Sequence, residues 1–188
     1  GSMTGLDARV HRVDGSGDEG PPEPRSLEGR TTRPLQAILQ DTVRNGGQLL
    51  VFVSSRASAQ KEARELAKHI RRMLVAGNSD IDVGVAEKWE GIADKLIGSG
   101  DSSAMVNSLE TSLGGGVAFH HAGLTSKHRR IVEDSFRSGD LLCVVATPTL
   151  AQGVNLPART VVVRDYRRWS TAAGMTMPLP VLEVLQMM

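Results

Sequence analysis

Residues 141–159, which read LLCVVATPTLAQGVNLPAR, decide the fold of this chain. They begin with a continuous apolar run, residues 141–146, and such a run bounded by polar turns predicts a fully buried strand of a parallel sheet. Small hydroxyl residues, a glycine and an asparagine follow, and these allow a ligand to approach the backbone closely. Because open parallel sheets bind ligands at the carboxyl ends of their strands, the second half of the segment predicts a ligand-contacting loop.

Composition favours one globular α/β domain in the 188 residues. Hydrophobic residues make up 40% and aromatic residues only 3%, so the core must consist of aliphatic strands covered by helices and not of an aromatic-rich β-sandwich. The net charge of +1 neither requires nor excludes a nucleic-acid partner. The single cysteine, Cys143, lies in the apolar run and is expected to be a buried hydrophobe, which fits a reducing, cytoplasmic compartment.

Three parts of the chain differ in composition. Residues 1–3 resemble an expression scar. Residues 4–30 read as a partly disordered N-terminal segment or linker, with a possible short edge strand in 6–13 and a Gly/Pro/acidic stretch in 14–24. Residues 31–188 read as the folded domain. No apolar run approaches the ~18 residues that a membrane span needs.

Hydrophobic periodicity predicts alternating helices and strands within residues 31–188. Helices are predicted from Pro34 to the Asn-Gly-Gly of 45–47, over 57–76, 87–97 and 102–113, and from Ser126 as cap to 137. Strands are predicted over residues 48–53, 117–119, 141–146 and 160–163. This order predicts an α/β fold with a mostly parallel sheet and helices on both faces.

Polar residues follow three of these strands: Ser54-Ser55-Arg56, residues 120–123 (HHAG) and residues 147–155. In a parallel sheet the carboxyl ends of the three strands lie along one border of the sheet, which is the edge meant below. Hydroxyls, backbone N–H groups and helix N-termini gathered there suit phosphate oxygens. The sequence has no G-x-x-x-x-G-K-[ST] phosphate loop, no G-x-G-x-x-G and no G-x-S-x-G. A phosphate-bearing polymer is therefore the favoured ligand.

Several other groups of residues are interpreted as structural. Adjacent residues of an extended chain point in opposite directions, so His120-His121 predicts one packed and one exposed ring and no metal site. The charged run 127–130 (KHRR) is expected to form a solvated helix face. Trp89 is expected to cover the edge of the core.

The blocks LVFVSSR (50–56), VAFHHAGL (117–124) and ATPTLAQGVNLPAR (146–159) occur in the order and spacing of motifs IV, IVa and V of superfamily 2 helicases. Their wording resembles the superkiller-type branch, most closely the Hjm-type archaeal DNA helicases, and RDYRRW (164–169) and QMM (186–188) also fit. The resemblance covers residues 34–188. It implies the second RecA-like domain of an ATP-dependent helicase that translocates on or unwinds DNA during repair or fork processing.

The resemblance also implies what this domain lacks by itself. Residues 186–188 match only the start of motif VI, so the arginine fingers, and with the first RecA-like domain the Walker motifs, are missing. The cofactors ATP and Mg would be bound mainly by that first domain, which is the expected intramolecular partner. The fragment alone is therefore expected to be inactive.

Site residues follow from the motif positions. The resemblance implies nucleic-acid contacts, with single-stranded or forked DNA favoured over RNA, by Ser54, Ser55, Arg56, His121, Ala122, Gly123, Thr147 and Thr149. It places Gly153, Asn155 and Gln186 in the inter-domain cleft, near ATP. It also implies a strand-separating β-hairpin between motifs V and VI, with its tip at 170–174 and with Arg164, Tyr166, Arg167, Arg168 and Trp169 available to contact phosphates or stack on bases.

Two alternatives remain open at this point. Contacts to a nucleic-acid backbone carry little sequence information, so an RNA helicase of the same superfamily would use the same residues. A RecA-like module that binds nucleic acid or protein without motor activity would also show these strand ends.

Overall fold

The computed structural model describes residues 7–8, 25–26, 33–77, 81, 84–98, 100, 103–150, 156–165, 167–170 and 174–178. The side chains of residues 7–8, 25–26, 149, 167–170 and 176–178 are not among the described parts. The α-helices of this part of the chain are α1 (Pro34–Arg44), α2 (Arg56–Val75), α3 (Val85–Ile97), α4 (Ala104–Leu113) and α5 (Ser126–Arg137). The strands are β1 (Asp7–Ala8), β2 (Arg25–Ser26), β3 (Leu49–Phe52), β4 (Val117–His120), β5 (Cys143–Ala146), β6 (Thr160–Val163), β7 (Arg167–Ser170) and β8 (Met175–Pro178).

A four-stranded parallel sheet of order β4-β5-β3-β6 forms the centre of the domain. Every residue of β3, β4 and β5 is buried, whereas β6 is half-buried along its length. Continuous apolar strands need cover on both faces, which is why they lie inside a helix-covered sheet. The predicted α/β class with a mostly parallel sheet is confirmed, and Cys143 is fully buried as expected.

Helices cover both faces of the sheet. Along β4 the side chains alternate, so that His120 reaches Glu133 of α5 and His121, one residue later, reaches Gln60 of α2. Helices α1 and α4 pack against α2, and α3 packs against α4 and α5. Opposite faces of one strand therefore meet different helices, as the alternating element order predicted.

Local signals set the helix boundaries. Pro34 occupies the first turn of α1, where its missing N–H costs nothing, and Ser55 caps α2 by accepting from the Ser58 N–H at 3.1 Å. The cap of α5 is Thr125, whose Oγ1 accepts from the His128 N–H at 3.2 Å, and not the expected Ser126. Both residue types cap well, so the choice depended on which one takes extended backbone angles.

Trp89 is a core residue and not an edge cover. Its side chain is 2% exposed, and its Nε1–H donates to the Asp140 carbonyl at 2.9 Å. Gly116 has a φ of +67°, and a Cβ there would lie 2.4 Å from the Trp89 ring. Glycine at this position therefore allows both the turn into β4 and the close seat of the indole.

Helix α1 buries polar residues together with its apolar ones. Leu39 is fully buried, but Gln36, Gln40 and Thr42 are buried with it, while Leu35 lies only half inside. The Gln40 amide lies 2.9 Å from the Met73 sulfur, and the Thr42 hydroxyl donates to that of Thr160 at 3.0 Å. Contacts with α2 and β6 thus accompany the burial of Gln40 and Thr42, and hydrophobic periodicity does not report such contacts.

Two small antiparallel pairs accompany the sheet. Strands β1 and β2 pair two residues each, with β1 inside the expected edge strand of residues 6–13. Strands β7 and β8 pair in a register that sets Ser170 opposite Met175, so the predicted β-hairpin between motifs V and VI is present. Gly174 has a φ of +61° next to that pair. None of the helices among the described residues combines the length and the apolar character needed to cross a bilayer.

Candidate nucleic-acid interface

The carboxyl ends of the four parallel strands lie side by side. Pairing sets Ala146 at the end of β5 between His120 of β4 and Phe52 of β3, and Phe52 beside Val163 of β6. The next residues extend these pairings, because the Thr147 N–H donates to the His120 carbonyl at 3.1 Å and the Arg164 N–H to the Phe52 carbonyl at 2.9 Å. The polar segments that follow the strands therefore meet at one edge, as parallel geometry requires.

The loop after β3 presents exposed polar groups at the start of α2. Ser54, Ser55 and Arg56 are all exposed. The Ser55 hydroxyl is occupied as the helix cap, and its oxygen also lies 2.9 Å from the Ser58 hydroxyl. The first amides of an α-helix have no intrahelical acceptor, so the beginning of α2 offers N–H groups and the Arg56 cation at this edge.

The carboxylate of Asp165, which follows the neighbouring strand β6, holds this loop. The Asp165 Oδ2 accepts from the Ser54 N–H at 3.0 Å and from its hydroxyl at 3.1 Å. Arg164 binds both Asp165 oxygens, at 2.9 and 3.0 Å, and its Nη1 lies 2.5 Å from Glu62 of α2. We call Ser54, Glu62, Arg164 and Asp165 the β6 tether, because it joins the end of β6 to the loop and helix after β3.

Two opposed effects act on the ionisation of Asp165. Partial burial raises the pKa of the carboxyl, but the bonds from Arg164 and Ser54 outweigh burial and bring the pKa below its ordinary value of 3.8. The same bond to Asp165 raises the pKa of Arg164, against the effect of its burial. Both groups are therefore charged at neutral pH, and the β6 tether is ionic.

The loop after β4 is fixed from inside by His121. The ring is fully buried, stacks on Phe119 with centroids 5.3 Å apart, and accepts from the Gly123 N–H at Nδ1 at 3.1 Å. A neutral imidazole has one acceptor nitrogen, so the proton is on Nε2, 3.1 Å from the Gln60 amide. The Gln60 side-chain oxygen must then be the atom that accepts from the His121 Nε2–H. A 180° rotation of the amide group, which exchanges its nitrogen and oxygen, gives this arrangement.

The environment keeps His121 neutral. Burial lowers its pKa from the ordinary 6.5, and the positive charges of Arg56 and of a protonated His120 would lower it further. Protonating Nδ1 would break its bond with the Gly123 N–H. His121 therefore shapes the loop, while the exposed Ala122 and the half-buried Gly123 form its outer surface.

His120 is also buried, so the expectation that one ring of the pair is exposed is wrong. Its Nε2 lies 2.7 Å from Glu133 Oε1, and its side chain is 4% exposed. Burial lowers the pKa of His120 more than the Glu133 carboxylate raises it. The alternation of the two rings was predicted correctly, but each face of β4 is covered by a helix.

The charged run 127–130 is not a wholly solvated helix face, because His128 within it is buried.

Thr147 lies at the middle of the edge, between these two loops. It is 8% exposed, and its carbonyl accepts from the Leu150 N–H at 3.0 Å, which closes the short 3-10 turn Pro148–Leu150. Its backbone N–H already serves the His120 carbonyl. A contact from Thr147 to a phosphate would therefore have to come from its side chain.

Comparison with known proteins decides the class of this domain. Residues 95–175 match the model of the helicase conserved C-terminal domain. The chain therefore contains a helicase C-terminal domain with a RecA-like parallel sheet. Its four-stranded parallel sheet, and the polar residues that follow β3, β4 and β5 at one edge, are consistent with the resemblance to superfamily 2.

Proteins named ATP-dependent DNA helicase Hel308 are similar over most of the chain. The one from Methanocella arvoryzae is 37% identical over 165 residues, covering 88% of this chain and 21% of the relative. Those from Caldivirga maquilingensis and Pyrobaculum calidifontis are 43% and 44% identical over 78% and 80% of this chain, and over 18% and 20% of the relatives. The helicase domain thus spans about a fifth of the length of these relatives.

Part of the predicted site lies outside the described residues. This applies to the predicted ATP-facing Gly153, Asn155 and Gln186, and to Tyr166 before the hairpin. For Arg167, Arg168 and Trp169 the backbone forms β7, but their side chains, like that of Thr149, are not described. Of the residues predicted for the hairpin, Arg164 has a described side chain, and it is bound within the β6 tether.

Sequence reasoning missed the residues that hold the helicase domain's loops in place. Asp165 stands inside the quoted RDYRRW segment, where only the arginines and aromatic residues were given roles. Glu62 of α2 lies 102 positions from its partner Arg164. Gln60 of the same helix lies 61 positions from its partner His121. No spacing rule links residues so far apart, although an acid just after the end of a strand in a parallel sheet was a usable signal.

Proposed function

We propose that this helicase domain is the second motor domain of an ATP-dependent DNA helicase, and that the shared strand-end edge of its sheet grips one nucleic-acid strand. The register that brings the ends of β3, β4 and β5 together carries this proposal. Three neighbouring loops can follow successive phosphates of a single strand, whereas one loop alone could not distinguish a polymer from a free phosphate. DNA is favoured over RNA by the names of the relatives.

The chemistry of the edge suits a backbone and not bases. Arg56 is exposed there as a cation, and the start of α2 adds backbone N–H groups with the positive end of the helix dipole. Ala122, Gly123 and Thr147 are small, so a strand can lie close to the protein. Such contacts hold any sequence, as translocation requires, and their affinity falls as salt rises.

ATP is proposed from the relatives' names, since the described residues hold no part of the predicted nucleotide site. Mg is proposed with it because metal ions bridge and neutralise the phosphates in ATP hydrolysis. A nucleotide supplies the free energy that closes and reopens two motor domains on the strand. This domain's own contribution would come from Gly153, Asn155 and Gln186 facing a first RecA-like domain of the same protein. Without that domain we expect no ATPase or unwinding, and we place the whole protein in the cytoplasm.

The β7–β8 hairpin is proposed to separate the strands of a duplex. It follows β6 closely in sequence, so it starts near the edge that would hold the tracking strand. Arg167 and Arg168 would contact phosphates, while Tyr166 and Trp169 would offer faces for stacking on bases. Arg164, bound to Asp165 and Glu62, would anchor the base of the hairpin.

Replacing Thr147 by valine in the whole helicase tests the grip. The change keeps the shape and removes one hydroxyl, so ATP hydrolysis in the presence of single-stranded DNA should fall about tenfold, the value of one hydrogen bond to a charged group. Thr111→Val is the matched control, because Thr111 is exposed near the end of α4, which leads to the opposite edge of the sheet. Equal rates for the two variants would refute the role of Thr147.

Strand displacement by the whole protein separates the remaining alternatives. Forked DNA should be unwound faster than the matching RNA fork. Faster unwinding of RNA would make the protein an RNA helicase, and binding without any nucleic-acid-stimulated ATPase would make it a binding module.

A further inference from the structure

The Asp165 carboxylate occupies both polar hydrogens of Ser54. The same oxygen, Oδ2, accepts from the Ser54 N–H at 3.0 Å and from the Ser54 hydroxyl at 3.1 Å. A serine has one hydroxyl hydrogen and one backbone N–H, and an ionised carboxylate can only accept. A phosphate oxygen can likewise only accept hydrogen bonds. Ser54 therefore has no hydrogen left to donate to it.

Arg164 holds this carboxylate in place and also joins it to α2. Arg164 binds it with a parallel pair of hydrogen bonds at 2.9 and 3.0 Å, the geometry that fixes a carboxylate in orientation as well as in position. The same guanidinium reaches Glu62, which lies further along α2 than Arg56, at about one and two-thirds turns. The tether thus joins the loop after β3, the helix that follows it and the end of β6.

The charges of the β6 tether sum to minus one, from Glu62 and Asp165 against Arg164. Their side chains are only 21–32% exposed, so this negative charge lies beside the loop and just beneath its surface. Arg56, two residues after Ser54, is exposed and bears the positive charge of the loop. The group that can neutralise a phosphate here is therefore Arg56 and not Ser54.

We propose that Asp165 is a positioning residue for the nucleic-acid interface: it binds Ser54 so that the loop after β3 presents Arg56 to the phosphate backbone. Ser54 serves the interface by holding the loop and does not donate to phosphate. The assignment of Arg56 rests on the proposed function, whereas the tether itself does not. The two parts are therefore tested by different measurements.

Hydrogen exchange at the Ser54 amide in the 188-residue chain tests the tether. Asp165→Ala removes the acceptor, and the exchange should become at least about tenfold faster, as expected for a lost hydrogen bond to a charged group. Asp134→Ala is the matched control, since Asp134 is an exposed acid paired with Arg137 on α5, away from the loop. Unchanged exchange in Asp165→Ala would overturn the proposal whether or not the protein binds DNA.

The salt dependence of single-stranded DNA binding by the whole helicase tests the division of roles. Arg56→Ala should reduce the slope of log affinity against log salt by about one phosphate contact. Ser54→Ala and Asp165→Ala should each weaken binding, and the double variant should bind no more weakly than Asp165→Ala alone, because Ser54 acts through its contact with Asp165. The displaced loop still carries the Arg56 charge but presents it less well to the phosphate, so Asp165→Ala should reduce the slope by less than Arg56→Ala does. Additive losses of affinity in the double variant would overturn the role of Ser54. Absence of DNA binding by the unaltered helicase would refute the proposed function, and the exchange result would still decide the tether.

Discussion

The loops after β3 and β4 lie at the same edge of the sheet, yet they are fixed by opposite means. The loop after β3 is tied by a partly exposed ionic group, Asp165, which follows another strand, β6. The loop after β4 is tied by His121, a fully buried neutral ring that belongs to the loop itself. A nucleic-acid-binding edge can therefore be shaped by charge from outside or by packing from inside.

The two means differ in strength because they differ in burial. Water competes with the bonds of Asp165, which limits what the ionic tether adds to stability. His121 combines packing on Phe119 with hydrogen bonds that water does not reach, so its loss leaves a cavity and unsatisfied polar groups. The buried tether should therefore dominate the stability of the domain.

The largest effect is expected for His121→Ala. The variant loses the ring stack and leaves the Gly123 N–H and the Gln60 amide without their ring partner, so the free energy of unfolding should fall by about 3 kcal/mol. Urea unfolding of the 188-residue chain measures it. His69→Ala makes the same chemical change at a half-buried ring, whose Nε2 has no hydrogen bond within the described part of the chain, and should cost under about 1 kcal/mol. Similar losses in the two variants would contradict the comparison.

A smaller loss of stability is expected for Asp165→Ala. Two bonds from Ser54 and two from Arg164 disappear, but partial exposure limits the cost to about 1–2 kcal/mol. The same urea titration on Asp134→Ala, whose carboxylate is 63% exposed, should show a change below about 0.5 kcal/mol. If Asp165→Ala proved more costly than His121→Ala, the proposed ranking would be reversed.

The smallest effect concerns pH, where the two tethers should fail at different points. The pKa of His121 is below 6.5 in the folded protein, so on acidification the unfolded chain takes up the proton first, and stability is lost as the pH falls below 6.5. The lowered pKa of Asp165 gives the same sign, but its contribution is kept until the pH falls below 3.8.

Unfolding free energies measured across this range test the order. His69 and His120 also have lowered pKa values and share the upper window, each adding at most about 1.4 kcal/mol per pH unit. His121→Gln should therefore lose stability less steeply below 6.5 than the unaltered chain, whereas Asp165→Asn should keep the same slope there. Parallel curves for His121→Gln and the unaltered chain would show that this ring does not titrate as proposed.

Much of the fold could be predicted from the sequence because its signals are local. The apolar runs around Leu50 and Val144 became buried parallel strands, and Pro34 and Ser55 stand at the starts of α1 and α2 as their residue types favour. The choice of Thr125 over Ser126 as cap was not predictable, since both side chains can make the same bond. How deeply Trp89 and both rings of His120-His121 are buried also depended on elements distant in sequence.

The sequence by itself determined the strands, the helices and the three polar segments that share one edge, because the parallel order of alternating elements leaves no other place for them. The tertiary structure alone decided what holds those segments. Asp165 meets Ser54 from 111 positions away, and His121 meets Gln60 from 61. Such contacts have no local pattern, since they form only when β6 pairs with β3 and α2 packs over β4.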